Sequence, residues 1–407
     1  MKISHIGDIH WGLNYPGPTP ESRFNDITRT MDWAADRIIE ERCDLVLVAG
    51  DCFKDNRVFL DRASVEIRAL VNWLRKLSGA GISVVIISGT PSHDPVSAYE
   101  LIKEIAMPGV EIFTQPGITA FENISIACLP GMNRSNLVTQ EEYRTLPPHA
   151  IHQLMTDKIT QACQGLRGQC KGPAILLAHL TYDMADKGFE DVLMQHEPVL
   201  TQEAIQGFSL VALGHIHRPQ QNGNVFYCGS PERLRFDDEK IEAGFWIHEI
   251  EPAWCAPEIK GVPGVSFDAD GSYGSLKSRF IETPARRFLT INWNEDAASL
   301  FLRDGTITVP YSGGGEIVRL QYSCDETTAK LLDRKALEKA LYEAGAFFVA
   351  EIKADVQRVD RARDQEVTES LGPVEALGKW AENQGIVPDE ITVLQGMATG
   401  LLEEVAA

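Results

Sequence analysis

Short apolar, β-branched runs recur along this chain, and five of them stop at polar residues of one chemical kind. "KISHI" runs into "GDIH", "DLVLV" into "AGD", "SVVII" into "SGTPSHD", "AILL" into "AH" and "LVAL" into "GHIH". Runs of this kind and length read as strands, buried where they are wholly apolar. Between the first of them lie stretches of helical spacing, residues 24–42 ("FNDITRTMDWAADRIIEER") and 61–79. Strands separated by helices predict a mostly parallel sheet. The later strands, in "ENISIACLPG", "GPAILLAHL", "FSLVALGHIH", "NVFYCGSPE" and "GFWIHEI", are closely spaced and predict a second, more antiparallel sheet. The expected fold is α/β, with two packed sheets flanked by helices over residues 1–250.

The remainder divides by composition. Residues 251–275 are rich in Pro, Gly and Ser and read as a linker. Over 276–357, "RRFLTINW", "EIVRLQYS" and "FFVAEIKADV" read as strands, and "RKALEKALYEAG" as a short helix capped by Gly345, giving a small α+β domain. Residues 358–407 open on a charged segment and close with two amphipathic helices broken at Gly385 and Pro388. "SGGGE" at 312–316 lacks the Gly-Lys-Ser/Thr ending of a phosphate-binding loop and reads as a turn beside a strand.

The eight Cys are scattered, with no CxxC, which argues against a structural zinc site. No signal-like or membrane-spanning apolar stretch stands out, and the expected location is the cytoplasm, without membrane attachment. A formal charge of −20 weighs against nucleic-acid binding by the whole surface, although one basic groove or a basic partner overrides an average.

The chemistry concentrates at the strand ends: Asp8 and His10, Asp51, His93 and Asp94, His179, and His215 and His217. Asp8 and His10 are at i and i+2, as are His215 and His217, so each pair would face one side of an extended chain. Mixed carboxylate and imidazole suits Mn, Fe or Zn better than Mg or Ca alone. His5, His149, His152, His196 and His248 read as ordinary structural residues, and "FDDEK" as a solvated loop.

In this order, "GDIH", "AGD", "SHD", "AH" and "GHIH" resemble the motif series of the calcineurin-like metallophosphoesterases. "GSPERLRFDDEKIEAGFWIHEI", just after "GHIH", is similar to the SbcD-type nuclease subunits of double-strand-break repair. The resemblance implies a two-metal sandwich, a capping domain that binds DNA at 276–357 and ATPase-binding helices in the tail. It implies Mn-dependent exonucleolytic and endonucleolytic cleavage of DNA, an SbcC-like SMC-type ATPase as partner, and a homodimer. Two divalent ions about 3.5–4 Å apart would serve, Mn²⁺ foremost, with Mg²⁺, Fe²⁺ or Zn²⁺ as substitutes. Asp8, His10 and His217 would hold the first, Asp51 would bridge, and His179 and His215 would hold the second. His217 and Asp8 are then expected within about 5 Å of each other. His93 would stabilise the transition state or protonate the leaving oxygen, and Asp94 would either orient His93 or cap its loop.

Two positions depart from the family. An Asn oxygen ordinarily completes the second metal's shell directly before the His. Here Ser92 stands there, in a loop longer than the family's "GNHD"; it would ligate the second metal through its hydroxyl or a bridging water, and that metal is expected to bind more loosely. Three residues after Asp51, Lys54 replaces a His, and is either a phosphate contact or a plain surface residue. In the tail, Leu377 and Trp380 lie on one helical stripe and Leu394 and Leu401 on another. These stripes either grip a partner's coiled coil or pack on their own domain. Two other functions are compatible with the residues: a phosphoesterase for small nucleotides or phosphoproteins, and a catalytically weak scaffold for DNA and ATPase.

Overall fold

The computed structural model describes residues 1–56, 64–132, 146–188, 197–250, 276–293, 309, 311–357 and 371–406. The linker at 251–275, most of the charged segment and His196 lie outside these residues. The order opens with β1 (Lys2–Ile6), α1 (Ser22–Glu40), β2 (Leu45–Val48), α2 (Ser64–Gly79), β3 (Ser83–Ile87), α3 (Val96–Glu104) and β4 (Val110–Phe113). It continues through β5 (Gly117–Phe121), β6 (Ile124–Leu129), α4 (Pro148–Gln169), β7 (Ala174–His179), β8 (Thr181–Tyr182), β9 (Val199–Leu200) and β10 (Leu210–Gly214). Then come β11 (Gln220–Asn222), β12 (Val225–Tyr227), β13 (Gly244–Ile250) and β14 (Leu276–Glu282).

Two six-stranded sheets result, β14-β13-β1-β2-β3-β4 and β11-β12-β10-β7-β6-β5. Alternation along each strand sorts the core into three layers. From β2, Leu45 and Leu47 point to the inter-sheet layer, where they join Ile3, Val85, Ile126, Ile175, Leu177 and Ala212. Val46 and Val48 point the other way, onto Ile27 and Met31 of α1 and Leu70 and Leu74 of α2. On the far side, Leu176, Ala178 and Val211 meet Ile159 and Cys163 of α4. Strands buried on both faces thus account for the unbroken apolar runs.

Two expectations change. The second sheet is mainly parallel: β6, β7, β10 and β12 run the same way, and only its outer strands β5 and β11 are antiparallel. The long α4 carries the chain from β6 back to the start of β7, a crossover that closely spaced apolar runs concealed. Residues 276–282 also leave the small domain. As β14 they pair antiparallel with β13 from Gly244↔Glu282 to Ile250↔Leu276, extending the first sheet at its edge.

The remaining elements are β15 (Phe288–Trp293), β16 (Ile317–Asp325), α5 (Glu326–Leu331), α6 (Arg334–Glu343), β17 (Phe348–Gln357), α7 (Pro373–Asn383) and α8 (Pro388–Ala406). β15, β16 and β17 form a three-stranded sheet. Leu337 and Leu341 of α6 are fully buried. The chain divides into two compact units, the first containing both large sheets and α6, the second containing α5 and the two tail helices. Within the second, α7 and α8 pack together through Ala381 and Ile391. Gly385, with φ +71°, makes the turn between them.

His5 and His248 sit side by side in the first sheet, wholly buried and stacked 5.8 Å apart. Burial pushes His5 down to about 3, against a hydrogen bond to the Leu213 carbonyl. An unfolded His takes up its proton near pH 6.5. Between about pH 6.5 and 3 the unfolded chain therefore binds the extra proton, and stability falls as pH falls through that window. His5→Phe is expected to flatten the decline of the urea midpoint between pH 6.5 and 4. An unchanged slope would show that His5 does not carry it.

Candidate metal centre

The strand-end residues converge where β1, β2 and β3 of one sheet face β7 and β10 of the other. Parallel pairing persists beyond the strands: Asp8 N donates to Gly50 O at 3.0 Å, and Ile9 N and His10 N donate to Asp51 O at 2.9 and 3.0 Å. This locks "GDIH" against "AGD". Asp8, His10, Asp51 and His215 all have positive φ, at 51°, 56°, 48° and 98°. Asp8 and His10 thus converge through left-handed turns, not through the strand alternation expected from their spacing. Non-Gly residues in such backbone cost about 1–3 kcal/mol each and persist where the surroundings enforce them. Close packing of two main chains enforces it here. A Cβ at Gly89 would overlap the Asp51 carboxylate, and one at Gly50 would lie 2.6 Å from Gly89 Cα.

Three compact sets of potential ligands result: Asp8, His10 and His217; His10, Asp51 and His93; and Asp8, Asp51 and His179. Within each, one ligand atom per residue lies within 4.8 Å of the others. His10 Nε2 and His217 Nε2 approach to 3.3 Å. Two imidazole nitrogens at that distance share at most one proton, whereas their lone pairs suit one cation. His179 is anchored by Nδ1 on the Ala49 carbonyl at 2.6 Å. Its buried Nε2 has no hydrogen-bond partner and stands 3.4 Å from Asp51 Oδ1. The donor set, two buried carboxylates among imidazoles with an orphaned nitrogen, fits a pair of divalent cations.

The electrostatics follow from burial. Asp8 is fully buried, and desolvation holds its carboxyl above the ordinary range despite His179 and His217. Burial pushes Asp51 the same way, but His179, His93 and His10 outweigh it and hold Asp51 well below that range. Desolvation would lower His179; Asp51 and Asp8 instead raise it to about 10. Burial keeps His10 well below its usual value.

His93 Nδ1 lies 2.7 Å from Asp51 Oδ2, and its side chain is 42% exposed, the most open of the group around Asp51. That hydrogen bond raises its pKa against the effect of burial. Asp94 does not orient His93. Its Oδ1 accepts from Phe53 N at 3.0 Å, and its Oδ2 from Gly89 N at 2.7 Å and Tyr99 OH at 2.6 Å. It is the buried clamp of the loop. Ser92 is exposed, and its carbonyl accepts from Asn56 N. Thr90 N, not Ser92, reaches Asp51 Oδ1, at 2.7 Å. His215 belongs to none of the compact sets; its amide donates to both Asp8 oxygens at 3.0 Å, and its ring lies edge-on to His179 at 5.2 Å. Lys54 Nζ donates to Asn14 Oδ1 at 3.1 Å. In the tail, Trp380 and Leu401 are 52% and 62% exposed, while Leu377 and Leu394 are half-buried.

Two residues around the centre carry no signal in the sequence. Cys228 Sγ contacts Asp8 Oδ2 at 3.6 Å, and Glu197 Oε2 stands 2.6 Å from His215 Nε2. Neither lies in a strand-end motif.

The family model for calcineurin-like phosphoesterases matches residues 1–219. The DNA double-strand break repair protein Mre11 of Aeropyrum pernix is 26% identical over 230 residues, 54% of this chain and 49% of its own. Mre11 of Nanoarchaeum equitans is 22% identical, covering 63% of this chain and 68% of its own. The SbcD component of the nuclease SbcCD of Rhodobacter capsulatus is 23% identical over 67% of this chain and 73% of its own. The chain thus spans about half the length of the first of these relatives and more of the others. Among solved structures, a dimetal phosphatase from Danio rerio matches with TM-score 0.35 and 11% identity, over 62% of this chain and 93% of its own.

The clamp at Asp94 has a measurable weight. Removing its carboxylate strands two backbone donors and the Tyr99 hydroxyl, at about 1–3 kcal/mol for each buried group left unpaired. Asp94→Ala is expected to lower unfolding stability by roughly 3 kcal/mol or more, read from urea denaturation. A loss below about 1 kcal/mol would show that the loop is held elsewhere.

Proposed function

This chain belongs to the calcineurin-like phosphoesterase family, and from that premise we propose that it is a Mn²⁺-dependent DNA phosphodiesterase, the nuclease subunit of an SbcCD-like double-strand-break repair complex. The observation that carries the proposal is the meeting of Asp8, His10 and His217, from opposite ends of the domain, beside Asp51 and His179. The names borne by the relatives, repair protein and SbcCD nuclease component, supply the substrate class.

Two divalent cations, when bound, polarise the phosphodiester and activate the attacking water. Asp8, His10 and His217 would hold one, His179 and His215 the other, with Asp51 as the carboxylate available to both. His93, open to solvent beside Asp51, is the group that meets the substrate's leaving oxygen or the charge growing on the phosphorus oxygens. A recess of about 30 Å³ beside His217 is lined by Lys187, Arg218 and Arg235 together with Asp237 and Asp238, and Arg218 and Arg235 are paired with Asp186 and Asp237. Lys54 is a phosphate contact. The protein works as a homodimer in the cytoplasm, and its tail carries the SMC-type ATPase.

The exposed Ser92 favours one competing function, a scaffold of feeble activity. Cleavage of linear and hairpin DNA with Mn²⁺, alone and with the ATPase, decides between them. His93→Ala is expected to cut turnover by roughly 10²–10⁴-fold while both Mn²⁺ ions still bind. Loss of metal in step with activity would make His93 a ligand instead.

The exposed Trp380 of α7, Val393, Met397 and Leu401 of α8, and Val387 in the turn between them offer apolar surface suited to a helical partner. A chain ended after residue 365 is expected to lose ATPase binding in pull-down and retain Mn²⁺-dependent phosphodiesterase activity. A truncated chain that still binds the ATPase would place the contact elsewhere.

A further inference from the structure

Glu197 lies outside the motif series, yet its Oε2 stands 2.6 Å from Nε2 of His215, the separation of a charge-assisted hydrogen bond. It is placed by a two-stranded sheet. β9 begins two residues after Glu197 and pairs in parallel with β8, two residues after His179, through Thr181↔Val199 and Tyr182↔Leu200. Thr181 Oγ1 approaches the same carboxylate oxygen at 3.4 Å. The segment that carries one ligand His therefore also positions the acid that holds the other.

An ionised carboxylate only accepts hydrogen bonds, so the proton in this pair belongs on Nε2. In the neutral ring, the form that can bind a cation, Nδ1 then keeps its lone pair. The main chain of His215 is fixed as well, by its amide on both Asp8 oxygens at 3.0 Å.

We propose that Glu197 is the positioning residue of the second metal site: it fixes the Nε2–H tautomer of His215 and leaves Nδ1 as the donor to a divalent cation. A carboxylate on the far nitrogen also makes the ring a stronger donor. Glu197 in this way offsets the amide oxygen that exposed Ser92 does not supply. The role rests on the two-metal centre proposed above, and its test separates the two ideas.

The first measurement uses the metal-free protein. ¹⁵N NMR of its imidazoles is expected to show His215 as the Nε2–H tautomer, and a mixture of tautomers in Glu197→Ala. The second is calorimetric titration with Mn²⁺. The native protein is expected to bind one ion tightly and one loosely. Glu197→Ala should weaken the looser step by roughly 10–100-fold and leave the tighter one unchanged. Glu197→Gln, of the same shape, should keep the tautomer and fall between.

An unchanged looser step in Glu197→Ala, or an unchanged tautomer, overturns the proposal. So does complete loss of the second ion in Glu197→Gln, which would make Glu197 a direct ligand. If the native protein takes up no Mn²⁺, the two-metal centre falls and this role with it, whereas the tautomer result still decides whether Glu197 orients His215.

Discussion

Two carboxylates, Asp8 and Asp51, are held almost wholly out of water at the cleft between the two sheets, with 0% and 2% of their surfaces exposed. Burying an ionised group is costly unless it is paired and hydrogen-bonded, and the surroundings are arranged around that cost. Asp51 receives the Thr90 amide, the His93 ring and the approach of His179. Asp8 receives the His215 amide twice, with Cys228 alongside. The glycines at 50 and 89 allow these partners to come close, and the parallel sheets bring the donors to one end. Divalent cations complete the same balance of charge, so a site for metal and a solution to desolvation coincide.

A second charged network performs a structural task nearby. Arg286, on the segment leading into β15, makes two 2.6 Å contacts with the Asp26 carboxylate of α1 and donates to the Gly315 carbonyl at 2.7 Å. Its guanidinium also lies 3.6 Å from the centre of the Phe347 ring. Arg23 shares Asp26 and reaches Glu232, whose carboxylate also takes the Thr30 hydroxyl and the Arg286 amide. Glu232 and Arg233 belong to "GSPERLR", the stretch that sets this chain apart within its superfamily resemblance. In the fold it supplies Glu232, which receives the Arg286 amide, while the two-point contact of Arg286 with Asp26, which Lys could not reproduce, ties the segment before β15 to α1.

The strands, their polar ends and the tail helices were legible because each rests on local pattern. Val46 and Val48 alternate with Leu45 and Leu47 whatever surrounds them. What escaped depends on which distant groups become neighbours. Asp94 follows His93 in sequence, and orienting that ring or capping its loop were equally open readings. Its donors, Phe53, Gly89 and Tyr99, come from the loop and its surroundings and decide for the cap. Glu197 sits in "HEPVL", with no periodicity to mark it, and acquires meaning only through the two-residue pairing of β8 with β9. Residues 276–282 joined the wrong domain because a strand's partner is not written in its own composition. The i, i+2 spacing of Asp8 and His10 led to the right neighbours by the wrong geometry.

That geometry has a wider consequence. The left-handed turns at Asp8, His10 and Asp51 are secured by main-chain hydrogen bonds and glycine packing, and that at His215 by its amide on the Asp8 carboxylate. The contacts that bring the two main chains together thus also set where the donor atoms stand. A metal-dependent zinc finger loses its structure with its ion, but this domain has three apolar layers that hold regardless. The main-chain contacts that shape the centre are continuous with the packing of the two sheets, so a side chain added at Gly50 or Gly89 would disturb both at once.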